Sequence, residues 1–462
     1  MNFDLTHIIL YHSLIVLGEF IIMFTFVHMI YKRRSPVSMI AWFLFMILLP
    51  YVAVVLYFIF GFRKRKSQYL KRPISLKEQT YQQHHINPIC DILKSYSIAD
   101  VSMHEHFRLS SDAQKSYEWL IEQIHQAQTS IYFSTYVLKY DYVTKRIFDA
   151  LIQKANAGVS IKILADTLGS WQLYFSPYRR KKLQRAGIEI RFFMPIFQMP
   201  FRNYINLRNH RKIYLFDNHK VISGGINLAS EYIGYDANVS RWEDMLFMVE
   251  GQSVARYFEI FTSDWYYATK EQLVFQPPDT KGKGHTALQV VPSGPDMEHD
   301  VLYEALLSAI YSATTRIWIV TPYFVPDASI LQALIIAQHK GIDVKLITPK
   351  QSNHVLADLA RNSYIHELEE SGIEVALHHG VMLHAKAILF DDDSVMLGSV
   401  NLDNRSLFLN YEIATFIYSK DIIEEIKTWM RTLLSDSSRD TKEISSIMKI
   451  LENAMRIVAP QL

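Results

Sequence analysis

The sequence predicts an α/β protein of two homologous halves packed about a pseudo-twofold axis, preceded by an N-terminal transmembrane helical hairpin. Three observations carry this expectation. Two long apolar stretches fill the first 62 residues, helical and strand-like segments alternate through the rest, and the alternation occurs twice with the same histidine-bearing motif in each copy. A chain of 462 residues has room for about three average domains, so a single small binding module is a poor description.

Composition narrows the function classes. Lys plus Arg number 48 against 46 Asp plus Glu, a formal charge of +2. That balance lacks the basic excess of a protein held by nucleic-acid phosphates, so no nucleic-acid partner is expected. The single cysteine, Cys90, excludes an internal disulfide framework and any zinc site built on paired cysteines.

From Ser35 to Phe62 no residue is charged, and Met39 to Phe60 exceeds the roughly 20 apolar residues that cross a bilayer. It reads as a transmembrane helix, with Pro50 in mid-span predicting a kink or a break. Ile8 to Ile30 is the second candidate, interrupted by His12, Glu19 and His28. Glu19 reads as a hydrogen-bonded carboxyl tying the two helices together, in preference to a marker of a functional path. No short apolar core with a basic start and a cleavage site is evident, so both spans are expected to persist.

Lys32, Arg33 and Arg34 precede the second stretch, and Arg63, Lys64, Arg65 and Lys66 follow it, extended by Lys71 and Arg72. The heavier second cluster points to a cytoplasmic location for the remaining chain, and a shallow hairpin with both clusters on one face is the alternative. Residues 1–62 are thus read as the hairpin and 63–105 as a basic juxtamembrane linker.

The duplication begins after the polar stretch from Ser75 to Asn87. A helix from Tyr117 leads into the strand-like run Ser130 to Leu138, and the order recurs as Tyr303 to Ile310 followed by Arg316 to Phe324. Gly158 to Leu164 matches Gly341 to Ile347, and Gly187 to Ile190 matches Gly372 to Val375. Pro277 to Gly284, rich in Pro and Gly, reads as the junction. The halves are accordingly 106–276 and 285–462. Alternating strands and helices favour a mixed sheet covered by helices.

The chemistry-bearing pattern is H-x-K-x4-D followed by G-[GS]-x-N. It appears as His210, Lys212, Asp217 with Gly224, Gly225 and Asn227, and as His384, Lys386, Asp391 with Gly398, Ser399 and Asn401. Side chains two apart on a strand share a face, so each His and Lys point together while Arg211 points away. Turns at Asp217–Lys220 and Asp391–Ser394 would fold a hairpin that returns each asparagine toward its histidine.

Convergence of two His, two Lys and two Asn suits a phosphodiester. One neutral imidazole attacks phosphorus, the other donates a proton to the departing oxygen, and the Lys and Asn side chains bind nonbridging oxygens. Neither role calls for a metal or another cofactor. Each imidazole needs an acceptor on its second nitrogen, for which Asp244 and Glu412 are the candidates. Asp217 and Asp391, at the turns, are expected to secure the hairpins and the field of the site. Arg179 to Lys182 reads as a solvated helix face, and His219 and His379 as turn or surface residues.

The paired motifs resemble those of the phospholipase D superfamily over nearly the whole chain. The stretches Leu207–Lys212, Gly224–Asn227 with Glu231 and Tyr232, Trp242–Asp244, Thr321–Asp327, and Gly398–Ser406 with Asn410–Glu412 are similar to bacterial cardiolipin synthases, as is the N-terminal Leu49–Tyr51 region. The resemblance implies a multi-pass enzyme of the bacterial cell (inner) membrane. It would move a phosphatidyl group between two phosphatidylglycerol molecules, giving cardiolipin and glycerol through a phosphatidyl-histidine, with those lipids as its partners. It also implies His210 as nucleophile and His384 as acid and then base, with the reverse assignment open. A membrane phospholipase D releasing phosphatidate needs the same motifs, which alone do not choose between transfer and hydrolysis.

Overall fold

The architecture is that of a computed structural model describing residues 5–32, 36–60, 71, 74, 87–98, 101–104, 106–195, 206–275, 284–439 and 445–456. Arg33, Arg34, the cluster Arg63–Lys66, Arg72, most of the polar stretch before Asn87 and most of the Pro/Gly junction lie outside them. The N-terminal helices form one compact unit and the two halves together form another.

In the first unit, a helix spans Leu5–Tyr31, and its 23-residue apolar run Ile9–Tyr31 is long enough to cross a bilayer. The second stretch is not one helix. It divides into Pro36–Leu48 and Pro50–Phe60, of 13 and 11 residues, each short of a full span. The rings of Trp42 and Tyr57 lie 5.4 Å apart, whereas a straight helix would hold two residues fifteen positions apart about 22 Å from each other. The chain therefore bends sharply at Leu49–Pro50, because proline offers no N–H and its ring crowds the preceding turn. Tyr57, Met46 and Ala53 are buried in this unit's apolar cluster with Met29, and His28 Nδ1 lies 3.1 Å from the Tyr57 hydroxyl. Glu19, expected to tie the helices together, is instead exposed, with no hydrogen-bond or ion-pair partner among the described residues.

The second unit holds two sheets of matching order. Half one runs His106–Ser110, Leu246–Glu250, Lys220–Gly224, Ile213–Phe216, Ser130–Thr135, Ser160–Asp166, Ile188–Phe193. Half two repeats it as Thr286–Ser293, Glu412–Ile417, Ser394–Gly398, Ala387–Phe390, Arg316–Val320, Asp343–Pro349, Glu374–His378. In each, the last three strands are parallel and the rest antiparallel. Helices such as Tyr142–Asn156 and Ala328–His339 cross between parallel strands, each started by an aspartate, Asp141 or Asp327, whose side chain accepts backbone N–H bonds of the first turn. Asp166 and Pro349 therefore end equivalent strands at the edge where α/β folds place their sites.

Half two gains a strand and a helix from outside its own segment. Ser102–His104, within the region read as linker, pairs antiparallel with Thr286–Leu288. The helix Pro88–Ser95 before it buries Ile89 and Leu93, and with Ile98 and Val101 these join the core of half two. Apolar residues four apart on that helix make it a packed element rather than a tether.

Candidate active site

Two short parallel bridges join the halves at their motifs. Asn209 pairs with Tyr411 and Glu243 with Leu383. His210 N donates to the Tyr411 carbonyl at 2.9 Å, and His384 N to the Glu243 carbonyl at 2.7 Å. Each bridge sets a histidine beside the acid that follows in the other half. His210 Nδ1 lies 3.0 Å from Glu412 Oε1 and 3.1 Å from the Ser399 carbonyl, while His384 Nδ1 lies 2.6 Å from Asp244 Oδ2. An Nδ1–H donated to a carboxylate leaves Nε2 with its lone pair free for chemistry.

The small residues of the second motif make room for those acids. A Cβ on Gly225 would fall 2.1 Å from Asp244 Oδ1, so only glycine admits that carboxylate. At the equivalent place Ser399 donates its hydroxyl to Glu412 Oε2 and accepts from Ile413 N at 3.1 Å. Gly224 and Gly398 have φ of +139° and +156°, and a Cβ on either would strike the Met245 or Ile413 carbonyl at 2.2 or 2.3 Å.

The lysines sit beneath the histidines. Lys212 Nζ donates to the His210 carbonyl at 2.7 Å. Lys386 Nζ donates to the His384 carbonyl and lies 2.8 Å from His384 Nδ1 and 3.1 Å from Nε2. All four side chains are buried. Burial lowers Lys212 to about 7 against the pull of Glu412, and Lys386 to about 8 against Asp244 and Glu412. Burial also lowers both histidines, His384 further through Lys386 and Lys212. Burial pushes Asp244 up to about 6, although Lys386 and the Met245 N–H favour its charge. For Glu412 burial also opposes ionisation, but His210, Lys212 and Ser399 outweigh it and hold the carboxyl below its ordinary range. Buried cations with depressed proton affinity are a receptor for an anion, whose charge would restore it.

Aromatic walls enclose the imidazoles. Tyr136 meets His210 edge-on at 5.0 Å, and Tyr232 and Trp242 stand 5.1 and 5.5 Å from His384. Arg211, pointed away from the His/Lys face, is buried in an ionic quartet. Its Nη1 lies 2.8 Å from Asp264 Oδ1, its Nη2 3.0 Å from Asp296 Oδ1, and its Nε donates to the Glu412 carbonyl at 3.0 Å. Lys71 completes the quartet, 2.6 Å from Asp264 Oδ1 and paired with Asp296. The sequence reading placed Lys71 in the basic juxtamembrane cluster, whereas it is buried in this quartet; Asp264 and Asp296 were passed over, although a guanidinium turned inward demands acids around it.

Of the remaining motif residues, the two aspartates stand apart from the imidazoles. Asp217 and Asp391 end the strands Ile213–Phe216 and Ala387–Phe390, about 16 Å of extended chain beyond the lysines. Asp217 accepts from the backbone N–H groups of Gln128, Thr129 and Ser130, and Asp391 from those of Thr314, Thr315 and Arg316. Grouped with the catalytic residues by motif, both are clamps on the loop that feeds the central strand. Asn227 Oδ1 accepts from Val137 N at 3.1 Å, and Asn401 is buried beside Asp403, whose charge its side chain favours. His219 is a half-buried turn residue and His379 is exposed.

Comparison with known proteins identifies the family. The family model described as cardiolipin synthase, phospholipase D-like domain, matches residues 120–265 and 306–434, and a phospholipase D-nuclease N-terminal model matches 20–61. The chain is 32% identical to cardiolipin synthase 1 of Bacillus anthracis, covering 93% of this chain and 90% of that one. It is 30% identical to a cardiolipin synthase of Geobacillus sp. (strain WCH70) with the same coverage. The crystal structure of phosphatidylserine synthase from Haemophilus influenzae Rd KW20 superposes with a TM-score of 0.61 at 15% identity, covering 81% of this chain and all of that one, a likeness of fold. Two phospholipase D-like segments within one chain, matched along nearly its full length, place it in a family: the chain belongs to the cardiolipin synthases of the phospholipase D superfamily.

Proposed function

We propose that this membrane protein is a cardiolipin synthase, a phosphatidyltransferase that joins two phosphatidylglycerol molecules into cardiolipin and releases glycerol. The observation that carries the chemistry is the pair of histidines, each oriented by a carboxylate of the opposite half. His210 Nε2 attacks the phosphorus of one phosphatidylglycerol as the bond to the glycerol oxygen breaks, and His384 gives that oxygen its proton. A hydroxyl of the second phosphatidylglycerol then loses its proton to His384 and displaces His210 from phosphorus, restoring both imidazoles. Lys212 and Lys386 bind the nonbridging oxygens, with amide donors from Asn227 and Asn401, and the phosphodiester charge raises His384 to the proton affinity its acid role needs. Asp244 and Glu412 hold the tautomers. The halves comprise 106–276 and 285–462.

The catalytic halves face the cytoplasm in this reading. The bend at Leu49–Pro50 supports a topology in which only Leu5–Tyr31 crosses. The bent pair returns to the face it left, and the basic residues that flank it in the sequence favour the cytoplasmic side for that face.

The test is product analysis with the purified full chain in phosphatidylglycerol bilayers containing a chelator. Cardiolipin and glycerol are expected. Phosphatidate as main product would make the protein a hydrolase, and a strict need for a divalent ion would remove the two-histidine mechanism. His210→Ala and His384→Ala should each abolish turnover with the fold intact.

A further inference from the structure

We propose that two exposed apolar rims flanking the cleft, one from each half, dock it onto an anionic phospholipid surface. This rests on the cardiolipin synthase reading for its substrate and on separate features for the docking itself. Each rim follows the parallel strand that neighbours a central strand of its half, Ser160–Asp166 in half one and Asp343–Pro349 in half two.

In half one, Leu168, Trp171, Phe175 and Tyr178 are 42, 54, 53 and 81% exposed. They sit at the mouth of the site, because the Ser170 hydroxyl donates to the Tyr136 carbonyl at 2.9 Å and the Tyr136 ring packs on His210. In half two, Val355 and Leu356 are 74 and 56% exposed. Their neighbour His354 packs on the Tyr323 ring at 5.7 Å and lies within electrostatic reach of His384. Tyr323 follows its central strand as Tyr136 follows the other, so the two rims are related by the same pseudo-twofold as the histidines.

Apolar side chains left in water on both lips of one cleft mark a docking surface, and charge identifies the occupant. No acidic residue occurs between Asp166 and Glu189, while Arg179, Arg180, Lys181, Lys182 and Arg185 crowd the helix Pro177–Arg185 beside the aromatic rim. Arg179 and Arg180 lay their guanidiniums over the Tyr140 and Tyr174 rings, and Lys181, Lys182 and Arg185 are exposed. Aromatic and aliphatic residues that enter the headgroup boundary beside cations that meet lipid phosphates are the composition of an interfacial anchor. The basic run therefore does more than solvate a helix.

The experiment uses the full chain with Cys90 replaced by Ala, reconstituted in phosphatidylglycerol/phosphatidylcholine vesicles. Single cysteines at Trp171, Phe175 and Leu356, and at the exposed control Gln126, carry nitroxide labels whose relaxation by oxygen and by an aqueous nickel chelate is compared. The three rim labels should favour oxygen and the control should favour nickel. Rim labels behaving like the control, or shielded from both reagents as in a contact with a second copy or another protein, would overturn the proposal. In a second arm, Trp171→Ser/Phe175→Ser/Leu356→Ser should lower turnover of vesicle phosphatidylglycerol about tenfold. It should leave turnover of a water-soluble short-chain phosphatidylglycerol unchanged; equal losses on both would also overturn the docking role. The label arm needs no catalysis. Rim labels in lipid without cardiolipin formation would remove the function and keep the docking surface, and cardiolipin with rim labels in water would do the reverse.

Discussion

His384 Nδ1 lies 2.6 Å from Asp244 Oδ2, a carboxylate 140 positions earlier in the chain and in the other half of the molecule. Glu412 reaches back across the same boundary to His210 at 3.0 Å. Neither half carries a complete catalytic histidine. The swap follows from the bridges Asn209–Tyr411 and Glu243–Leu383, in which the backbone beside each acid binds the backbone beside the partner histidine.

Replacing either acid by its amide should therefore act as a lesion in the histidine of the other half. Asp244→Asn and Glu412→Gln keep size and burial but can hold the imidazole in the wrong tautomer, and each is expected to lower turnover by about 10²- to 10⁴-fold. Rates of cardiolipin formation, with thermal unfolding as the control for folding, check this. A loss below about threefold in either variant would show that the carboxylates do not orient the imidazoles.

The pH dependence should be bell-shaped. Burial raises Asp244 to about 6, so the acceptor for His384 is lost as pH falls through that value. Burial lowers Lys212 to about 7 and Lys386 to about 8, so the cations that receive the phosphodiester are lost as pH rises through that interval. Initial rates at a low surface fraction of phosphatidylglycerol should show both limbs. At saturation the upper limb should move to higher pH, because bound phosphodiester holds the lysine protons. A flat profile above neutrality would contradict the depressed lysines.

Asp217→Ala and Asp391→Ala should separate stability from chemistry. Each removes a carboxylate that accepts three backbone N–H bonds, at a cost of about 1–3 kcal/mol. Turnover per folded molecule should change little. A large loss of turnover in well-folded protein would return these residues to the reacting centre.

Lys71→Met should destabilise the protein by about 3–5 kcal/mol, since it leaves the two buried carboxylates Asp264 and Asp296 to share the charge of Arg211. Thermal unfolding of the full chain in detergent measures this. Adding Asp296→Asn should recover part of the loss, the non-additivity expected of residues in one network. Strict additivity would argue that the quartet is not a unit.

Much of the site was legible before any coordinates. The i, i+2 spacing and the repeated motif marked His210, Lys212, His384 and Lys386 as two matching pairs, and the turn signals at Asp217 and Asp391 fall where the hairpins close, with Phe216 paired to Lys220 and Phe390 to Ser394. Asp244 and Glu412 were identified as acceptors without their partners, because sequence neighbourhood favours pairing within a half. Other elements misled. The uncharged run Met39–Phe60 reads as one span since hydropathy averages over Pro50, whose missing N–H has a local effect that a window does not register. The segment before residue 106 reads as tether because its basic start outweighs four apolar residues that later enter the core of half two.

Local periodicity and the doubled motif were enough to specify an α/β duplication with phosphodiester chemistry, because strand alternation, turn residues and motif spacing are properties of neighbouring positions. The exchange of acids between halves, the Lys71 quartet, the bend at Pro50 and the two exposed rims emerge only on folding. They depend on contacts between residues tens to hundreds of positions apart, and the burial and charge pairing that shift the proton affinities in the site are defined only once those contacts exist.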